Sequence, residues 1–353
     1  MKPAVLPRGN EFEAHVGDLV AKYLARDARA PRHDYFGMPH PAGNGHHCET
    51  WRLPVVEPHF DSSASPDEYS RWNEVTFVFR AESDQPLPDV SVTGLSITEL
   101  RSVQLGPVSD SIYLAATVLL PVGRVYRYAL RVDDQILPDP LNPQRFIAAN
   151  GEQLSTFFTN ACFEAVTFEP WEMRLLRRLT NHILPFNTRE AELFQLRPGG
   201  GPAAALAAQT YRLDHGVGVV NYLDKVLARE ERHQLPAYRA CLAQINRILR
   251  QRNPYLEPGD MPEQTFVNFY EELSSGNVTG WDYTAYSSPS YFLYLLRRHT
   301  FTGAFCHPKY GGNVGAAGWL WLADRFRDEK GRSLFAWERG LEPPLGTSTE
   351  YHG

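Results

Sequence analysis

Residues 170–184, PWEMRLLRRLTNHIL, mark the point where the hydrophobic pattern of this chain changes period. Met173, Leu176, Leu179 and Ile183 recur at spacings of three and four, which in a helix puts them on one face. Upstream the spacing is different. Residues 74–80, EVTFVFR, alternate Val75, Phe77 and Phe79 against Thr76 and Val78, as a half-buried strand does. Further short β-rich runs follow at 90–92, 112–119 and 125–132, separated by Pro, Gly, Asp and Ser, a spacing that suggests a β-sandwich. Within the last of them, the run to Leu130 followed by Asp133, Asp134 and Ile136–Leu137 predicts a hairpin turning at the two aspartates.

Downstream of residue 170 the helical period persists. Residues 219–227 and 237–249 repeat it, and residues 289–300, PSYFLYLLRRHT, form a strongly apolar and aromatic segment. Ser288 suits the N-cap of that helix and Pro289 its first position. Residues 196–204, LRPGGGPAA, read as a loop. The fold class is therefore an N-terminal β-sandwich, which a resemblance given below makes immunoglobulin-like, followed by an all-α helical domain. The expected divisions are a helical arm over 1–30, the β-domain over 31–165 with a histidine-rich entry loop, the helical domain over 166–340, and a tail over 341–353. The helix of the arm, near residues 11–25, could dock on either domain.

A chain of 353 residues, 43% hydrophobic, can bury a sizeable core in two domains. Its net charge of -6 argues against a nucleic-acid groove, which needs a basic face. No stretch reaches the roughly 18 uninterrupted apolar residues of a membrane span. The first twenty residues contain neither a signal-peptide core nor paired arginines. The expected compartment is the cytoplasm, or the periplasm by co-export with a signal-bearing partner. Cys48, Cys162, Cys241 and Cys306 lie far apart, without the spacing of a metal ribbon or iron–sulfur site. Buried free thiols are the expected reading of all four.

His33, His40, His46, His47 and His59 crowd a Pro/Gly-rich stretch. His46, His47 and Cys48 are the metal-ligand candidates, since imidazole and thiolate bind first-row metals. Their spacing matches no established site, and a packing or docking loop is the expected reading. No dinucleotide-binding G-x-G-x-x-G follows a strand and no nucleophile elbow is present, so neither a catalytic nor a cofactor-binding residue is assigned. His299 and His307 could in principle act as general acid and base, with Asp282 or Asp224 orienting one of them, but a buried hydrogen-bonding or helix-capping role is the expected reading.

Two resemblances sharpen this reading. Residues 295–319, LLRRHTFTGAFCHPKYGGNVGAAGW, closely resemble the terminal signature of the gluconate 2-dehydrogenase subunit 3 family. The matching positions are His299, Thr300, Gly303, Phe305, Pro308, Tyr310, Gly311, Gly312, Asn313, Gly318 and Trp319. Residues 218–227 resemble its central helix, with Asp224 in the place of the usual aspartate. The resemblance implies a small, non-catalytic subunit that binds and stabilises a large FAD-carrying subunit of the glucose–methanol–choline (GMC) type. That partner oxidises a sugar, glycoside or polyol and passes electrons to a cytochrome or other acceptor. FAD would belong to the partner. The interface candidates are His299, Phe305, His307, Tyr310, Gly311, Gly312, Asn313 and Trp319.

Residues 125–146 resemble the closing strands of the immunoglobulin-like module in front of glycogen-branching and isoamylase-type enzymes, through Tyr126, Tyr128, Asp139, Pro140, Asn142 and Pro143. The alternative function is accordingly a carbohydrate-binding module on a helical scaffold. Tyr113, Tyr126 and Tyr128 are its possible sugar platforms, although strand aromatics are more often core.

Overall fold

The computed structural model describes residues 1–7, 9–24, 52–61, 63, 71–82, 86–108, 111–185 and 217–334. The chain divides into two compact units, Met1–Glu164 and Ala165–Gly353. The first is built of antiparallel sheets and the second of helices.

In the first unit, β3 (Trp72–Arg80) pairs along its whole length with β7 (Tyr113–Pro121), from Trp72 opposite Pro121 to Arg80 opposite Tyr113. Strands β1 (Ala4–Val5) and β2 (Val55–Pro58) flank this pair, and β6 (Gly106–Pro107) adds to β7. The second sheet runs in the order β10 (Arg145–Ile147), β11 (Gln153–Phe158), β8 (Val125–Val132), β4 (Val90–Thr93), β5 (Ser102–Gln104), with β9 (Gln135–Leu137) on β8. Val75, Phe77 and Phe79 of the first sheet share one core with Val92, Tyr126, Tyr128 and Phe157 of the second. Rings interlock there: Phe77 meets Tyr128 edge-on at 5.0 Å, and Tyr126 stacks on Phe157 at 5.3 Å. The β8–β9 hairpin turns at Asp133 and Asp134, with Val132 opposite Gln135 and Asp133 at φ 50°.

The alternation in β3 predicts a strand buried on one face only. In the folded chain Thr76 and Val78 are also buried, at 1% and 2% exposure. The cause is α1 (Asn10–Leu24), whose Val16, Leu19 and Leu24 join Val78, Tyr113 and Ala115 in a second core. The arm helix thus covers the back of the first sheet. Thr76 adapts to this side by exchanging a hydroxyl hydrogen bond with Thr117 at 2.7 Å, which satisfies two polar groups that burial would otherwise leave unpaired.

A polar knot closes the second sheet. Tyr128 donates its hydroxyl to Asp139 at 2.6 Å, and the other Asp139 oxygen accepts from the Leu141 amide at 2.8 Å. Asn142 donates to the Thr156 carbonyl at 2.8 Å and accepts from the Gln144 amide. Desolvation by burial raises the Asp139 pKa despite these bonds. Of the turn residues read from 139–143, Asp139 and Asn142 are buried and anchor the chain exit, while Pro140 is exposed and Pro143 half-buried.

The second unit contains α2 (Pro170–Ile183), α3 (Val219–Val226), α4 (Leu235–Arg252), α5 (Glu263–Ser275), α6 (Pro289–Phe305) and α7 (Ala317–Arg325). One core collects Leu175, Leu176 and Leu179 of α2 with Leu223, Tyr238, Ile245, Phe266, Phe269, Phe292 and Leu296. Met173 and Ile183 sit at its margin. The α2 start is a reciprocal capping box, with the Glu169 amide donating to Glu172 at 2.8 Å. Ser288 caps α6 by accepting from the Tyr291 amide, with Pro289 in the first turn.

Packing of α1 on the first sheet has a measurable consequence. Replacing the fully buried Leu24 by alanine is expected to cost about 2–5 kcal/mol. Urea unfolding followed by tryptophan fluorescence, to which Trp72 of β3 contributes, would read it; a change below about 0.5 kcal/mol would mean that the helix is not docked.

Candidate functional site

The family-like motif begins in α6 and ends in α7, and its residues turn mainly inward. Asn313 is the centre. It adopts φ 45°, in the left-handed region that asparagine tolerates better than most side chains, and has no exposed surface. Its amide nitrogen donates to the Gly303 carbonyl at 2.8 Å, its side-chain nitrogen to the Cys306 carbonyl at 2.8 Å, and its side-chain oxygen accepts from the Gly318 amide at 2.7 Å. One residue thereby satisfies carbonyls at the C-terminus of α6 and an amide at the start of α7, groups that a helix cannot satisfy internally.

Close approach explains two glycines. A Cβ on Gly312 would collide with the Gly303 carbonyl oxygen, and one on Gly318 with the Ala304 carbonyl oxygen. Neither obstacle is a side chain that could rotate away. Trp319 has 9% exposure and donates its indole nitrogen to the Phe305 carbonyl at 2.7 Å, while His307 packs edge-on against its ring at 5.8 Å. The His307 Nδ1 accepts from the Lys309 amide at 3.0 Å, which leaves the proton of the neutral ring on Nε2. Burial, then the charge of Lys309, lowers its pKa to about 4.

His299 occupies a different environment. It has 1% exposure and shares a hydrogen bond between Nδ1 and the Tyr238 hydroxyl at 2.8 Å. Desolvation lowers its pKa, outweighing the opposite pull of Glu231, so the ring is neutral at pH 7. Arg298 can only donate, and its guanidinium lies 2.8 Å from His299 Nε2. The same Nε2 lies 3.2 Å from the Glu231 carboxylate, which can only accept, so either tautomer meets a partner on that side. Glu231 pairs with Arg298 at 2.5 Å and completes the cluster.

The central helix α3 supports the motif from below. Asn221 donates to the Gly311 carbonyl at 2.8 Å, which fixes the glycine turn to this helix. Asp224, fully buried, accepts from the backbone amides of Val166, Thr167 and Phe168, each at 2.9 Å. Lys225 neutralises it at 2.7 Å and also donates to Asn221 at 3.1 Å. A buried carboxylate is tolerable only with such pairing and hydrogen bonding.

The two carboxylates that could in principle orient a motif histidine are both engaged elsewhere. Asp224 is occupied by the 166–168 backbone and Lys225, and Asp282 caps its own turn through the Thr284 amide and hydroxyl. Tyr238 and Glu231 stand beside His299 instead, and sequence reasoning did not single them out. A usable signal existed for α3: Asn221, Asp224 and Lys225 interrupt an otherwise apolar run in which every residue is buried.

Of the interface candidates, His299, Gly311, Gly312, Asn313 and Trp319 are buried, Phe305 and His307 are half-buried, and Tyr310 is 41% exposed. Tyr310 is the member of the set with substantial free surface, its ring 5.2 Å from the Lys309 ammonium. Tyr113, Tyr126 and Tyr128 lie in the cores of the first unit, at 9%, 5% and 0% exposure, and are not sugar platforms. His46, His47 and Cys48 lie outside the described residues. Among the described residues no group of three His, Cys, Asp or Glu side chains could hold a metal, and no helix is long and apolar enough to cross a membrane. Cys162 and Cys241 are buried thiols outside any disulfide, and Cys306 is a half-buried one.

Comparison with known proteins follows the helical unit. Residues 170–323 match the family model of gluconate 2-dehydrogenase subunit 3, which supports placing this unit with that small-subunit family. No curated protein matches the chain. Among solved structures, an enterochelin esterase from Shigella flexneri aligns at 15% identity over 27% of this chain and 32% of its own, with a TM-score of 0.24. The Shigella flexneri enterobactin esterase solved with 2,3-di-hydroxy-N-benzoyl-glycine aligns at 17% identity over 33% and 36%, with a TM-score of 0.25. The chain thus spans about a third of the length of these structures. TM-scores this low bear on neither fold nor activity.

Two outcomes test the site. Gly312→Ala and Gly318→Ala are each expected to lower stability by about 2–3 kcal/mol or more, because overpacking against backbone cannot relax. Gly276→Ala, where a Cβ would meet only the Ser290 hydroxyl at 3.7 Å, is expected to cost about 1 kcal/mol through its positive φ. Thermal unfolding ranks the three, and equal losses would contradict the geometry. For His307, the folded pKa lies below the ordinary 6.5, so its contribution is intact above 6.5 and is lost as pH falls towards 4. Denaturant midpoints at pH 7 and pH 5 should accordingly converge in His307→Asn relative to the unmodified chain.

Proposed function

We propose that this chain is a non-catalytic accessory subunit that binds and stabilises a flavin-dependent dehydrogenase of the GMC type. The substrate of the complex would be a sugar, glycoside or polyol, and electrons would pass from the partner to a cytochrome or other acceptor. The observation that carries the reading is the match of residues 170–323 to gluconate 2-dehydrogenase subunit 3. The geometry of the motif supports it. Asn313, Gly312, Gly318 and Trp319 are spent on internal hydrogen bonds and close approach, which builds a rigid surface and not a reaction centre.

His299 and His307 do not contradict a non-catalytic role. Each is neutral, desolvated and engaged by a neighbour, and no hydrogen bond joins the two. FAD, in this reading, resides in the partner. In the first unit, the buried Tyr128–Asp139–Asn142 knot supports a structural use of the immunoglobulin-like resemblance rather than glycan binding. The compartment is cytoplasmic, or periplasmic by co-export with the partner.

Co-expression with the GMC-type catalytic subunit from the same genome tests the proposal. The two chains are expected to co-purify, with more soluble, FAD-loaded partner than is obtained alone. A catalytic subunit that is equally soluble and FAD-loaded alone, and that never co-purifies, would overturn it.

A further inference from the structure

Helix α6 divides lengthwise into two unlike halves. Phe292, Leu293, Leu295, Leu296, His299 and Thr300 are buried, and at 3.6 residues per turn they occupy one half of its circumference. The other half carries Tyr291, Tyr294 and Phe301, exposed by 49%, 60% and 43%. Tyr291 and Tyr294 stack at 6.0 Å with 22° between their planes. Arg297 and Arg298 lie on the same half.

Charge decides what this stripe fits. Helix α6 contains no aspartate or glutamate. Glu231, on a neighbouring segment, is committed to Arg298 and approaches His299 at 3.2 Å, while the described ion pairs of this helix leave Arg297 out. The stripe is therefore aromatic and cationic, on a chain whose net charge is -6. Aromatic residues and arginine are the types that concentrate binding energy at protein interfaces. A second copy docking through the same face would use a two-fold contact between two faces that each carry the Arg297 charge and no carboxylate of α6 to offset it, at a cost in repulsion. An apolar surface rimmed by carboxylates meets both the rings and the charges.

We infer that the Tyr291–Tyr294–Phe301 face of α6, with Arg297 and Arg298 beside it, is the docking stripe for a partner protein whose contact surface is apolar with an acidic rim. This inference rests on the accessory-subunit reading above, and on it the partner is the flavin-dependent catalytic subunit. The rings enter the apolar centre of the interface. Arg297 meets a carboxylate at its edge, which speeds encounter more than it deepens affinity. The buried motif fixes the end of α6 and so holds the stripe in place.

The test is binding of Tyr294→Glu, Phe301→Glu and Arg297→Glu variants of the full chain to the purified catalytic subunit. Because these side chains are exposed, thermal unfolding is expected to be unchanged, and it is measured for each variant. The two aromatic replacements are expected to weaken binding at least about 30-fold. Arg297→Glu should slow association and reduce its salt dependence. Tyr255→Glu, at a 93% exposed ring outside the stripe, should change nothing. If the unmodified chain binds and both aromatic variants bind within about threefold of it, the stripe is not the docking face and the accessory reading stands. If the unmodified chain does not bind, the accessory reading falls and the inference with it. Sedimentation of the chain alone supplies the remaining arm. A dimer that Tyr294→Glu dissolves would identify the occupant as a second copy and overturn the inference.

Discussion

Asn313 holds together groups that neither α6 nor α7 can satisfy internally: the Cys306 carbonyl beyond one helix and the Gly318 amide within the first turn of the next. Its own amide binds the Gly303 carbonyl. These bonds force the chain to reverse within a few residues, and the reversal brings backbone so close that Gly312 and Gly318 cannot carry a Cβ. Trp319 then packs where the turn delivers it, with its indole on the Phe305 carbonyl. Without Asn313, buried backbone groups would lack partners at a cost of about 1–3 kcal/mol each. The direction of α7 and the burial of Trp319 both follow from that constraint.

The same logic runs through α3. A helix buried along its whole length is expected to be apolar throughout, yet Asn221, Asp224 and Lys225 are retained. Each of the three polar side chains holds something in place. Asn221 secures the Gly311 carbonyl, Asp224 gathers the 166–168 backbone before α2, and Lys225 balances the charge. The polar residues of this helix therefore fix the segments on either side of the helical core in register. Removal of Lys225 alone would strand a buried carboxylate, which is generally far more costly than replacing a whole pair by apolar groups.

Function follows from this division between inside and outside. The motif residues that look chemically capable in isolation, His299 and His307, are neutral and engaged by Tyr238, Arg298 and the Lys309 amide. Tyr310 and the rings of α6 are among the apolar side chains that the helical unit presents outward. A rigid interior that displays aromatic surface suits a subunit whose work is to hold another protein, and the family match over residues 170–323 points the same way.

The sequence by itself determined the order of strands before helices, because a period of two and a period near 3.6 are local properties of the chain. It also determined the Ser288–Pro289 helix start and the aspartate hairpin, whose signals lie within a few residues. It identified the 299–319 motif as a unit. It did not reveal α5 or α7: α5 begins without a side-chain cap, and α7 follows a turn that no local pattern announces. Nor could it show that α1 covers β3, that Glu231 and Tyr238 stand at His299, or that Trp319 points inward. Those facts depend on contacts between residues tens of positions apart, 61 in the case of Tyr238 and His299. Only tertiary structure brings such residues together, since burial and hydrogen-bond satisfaction are settled by the packed whole and not by any one segment.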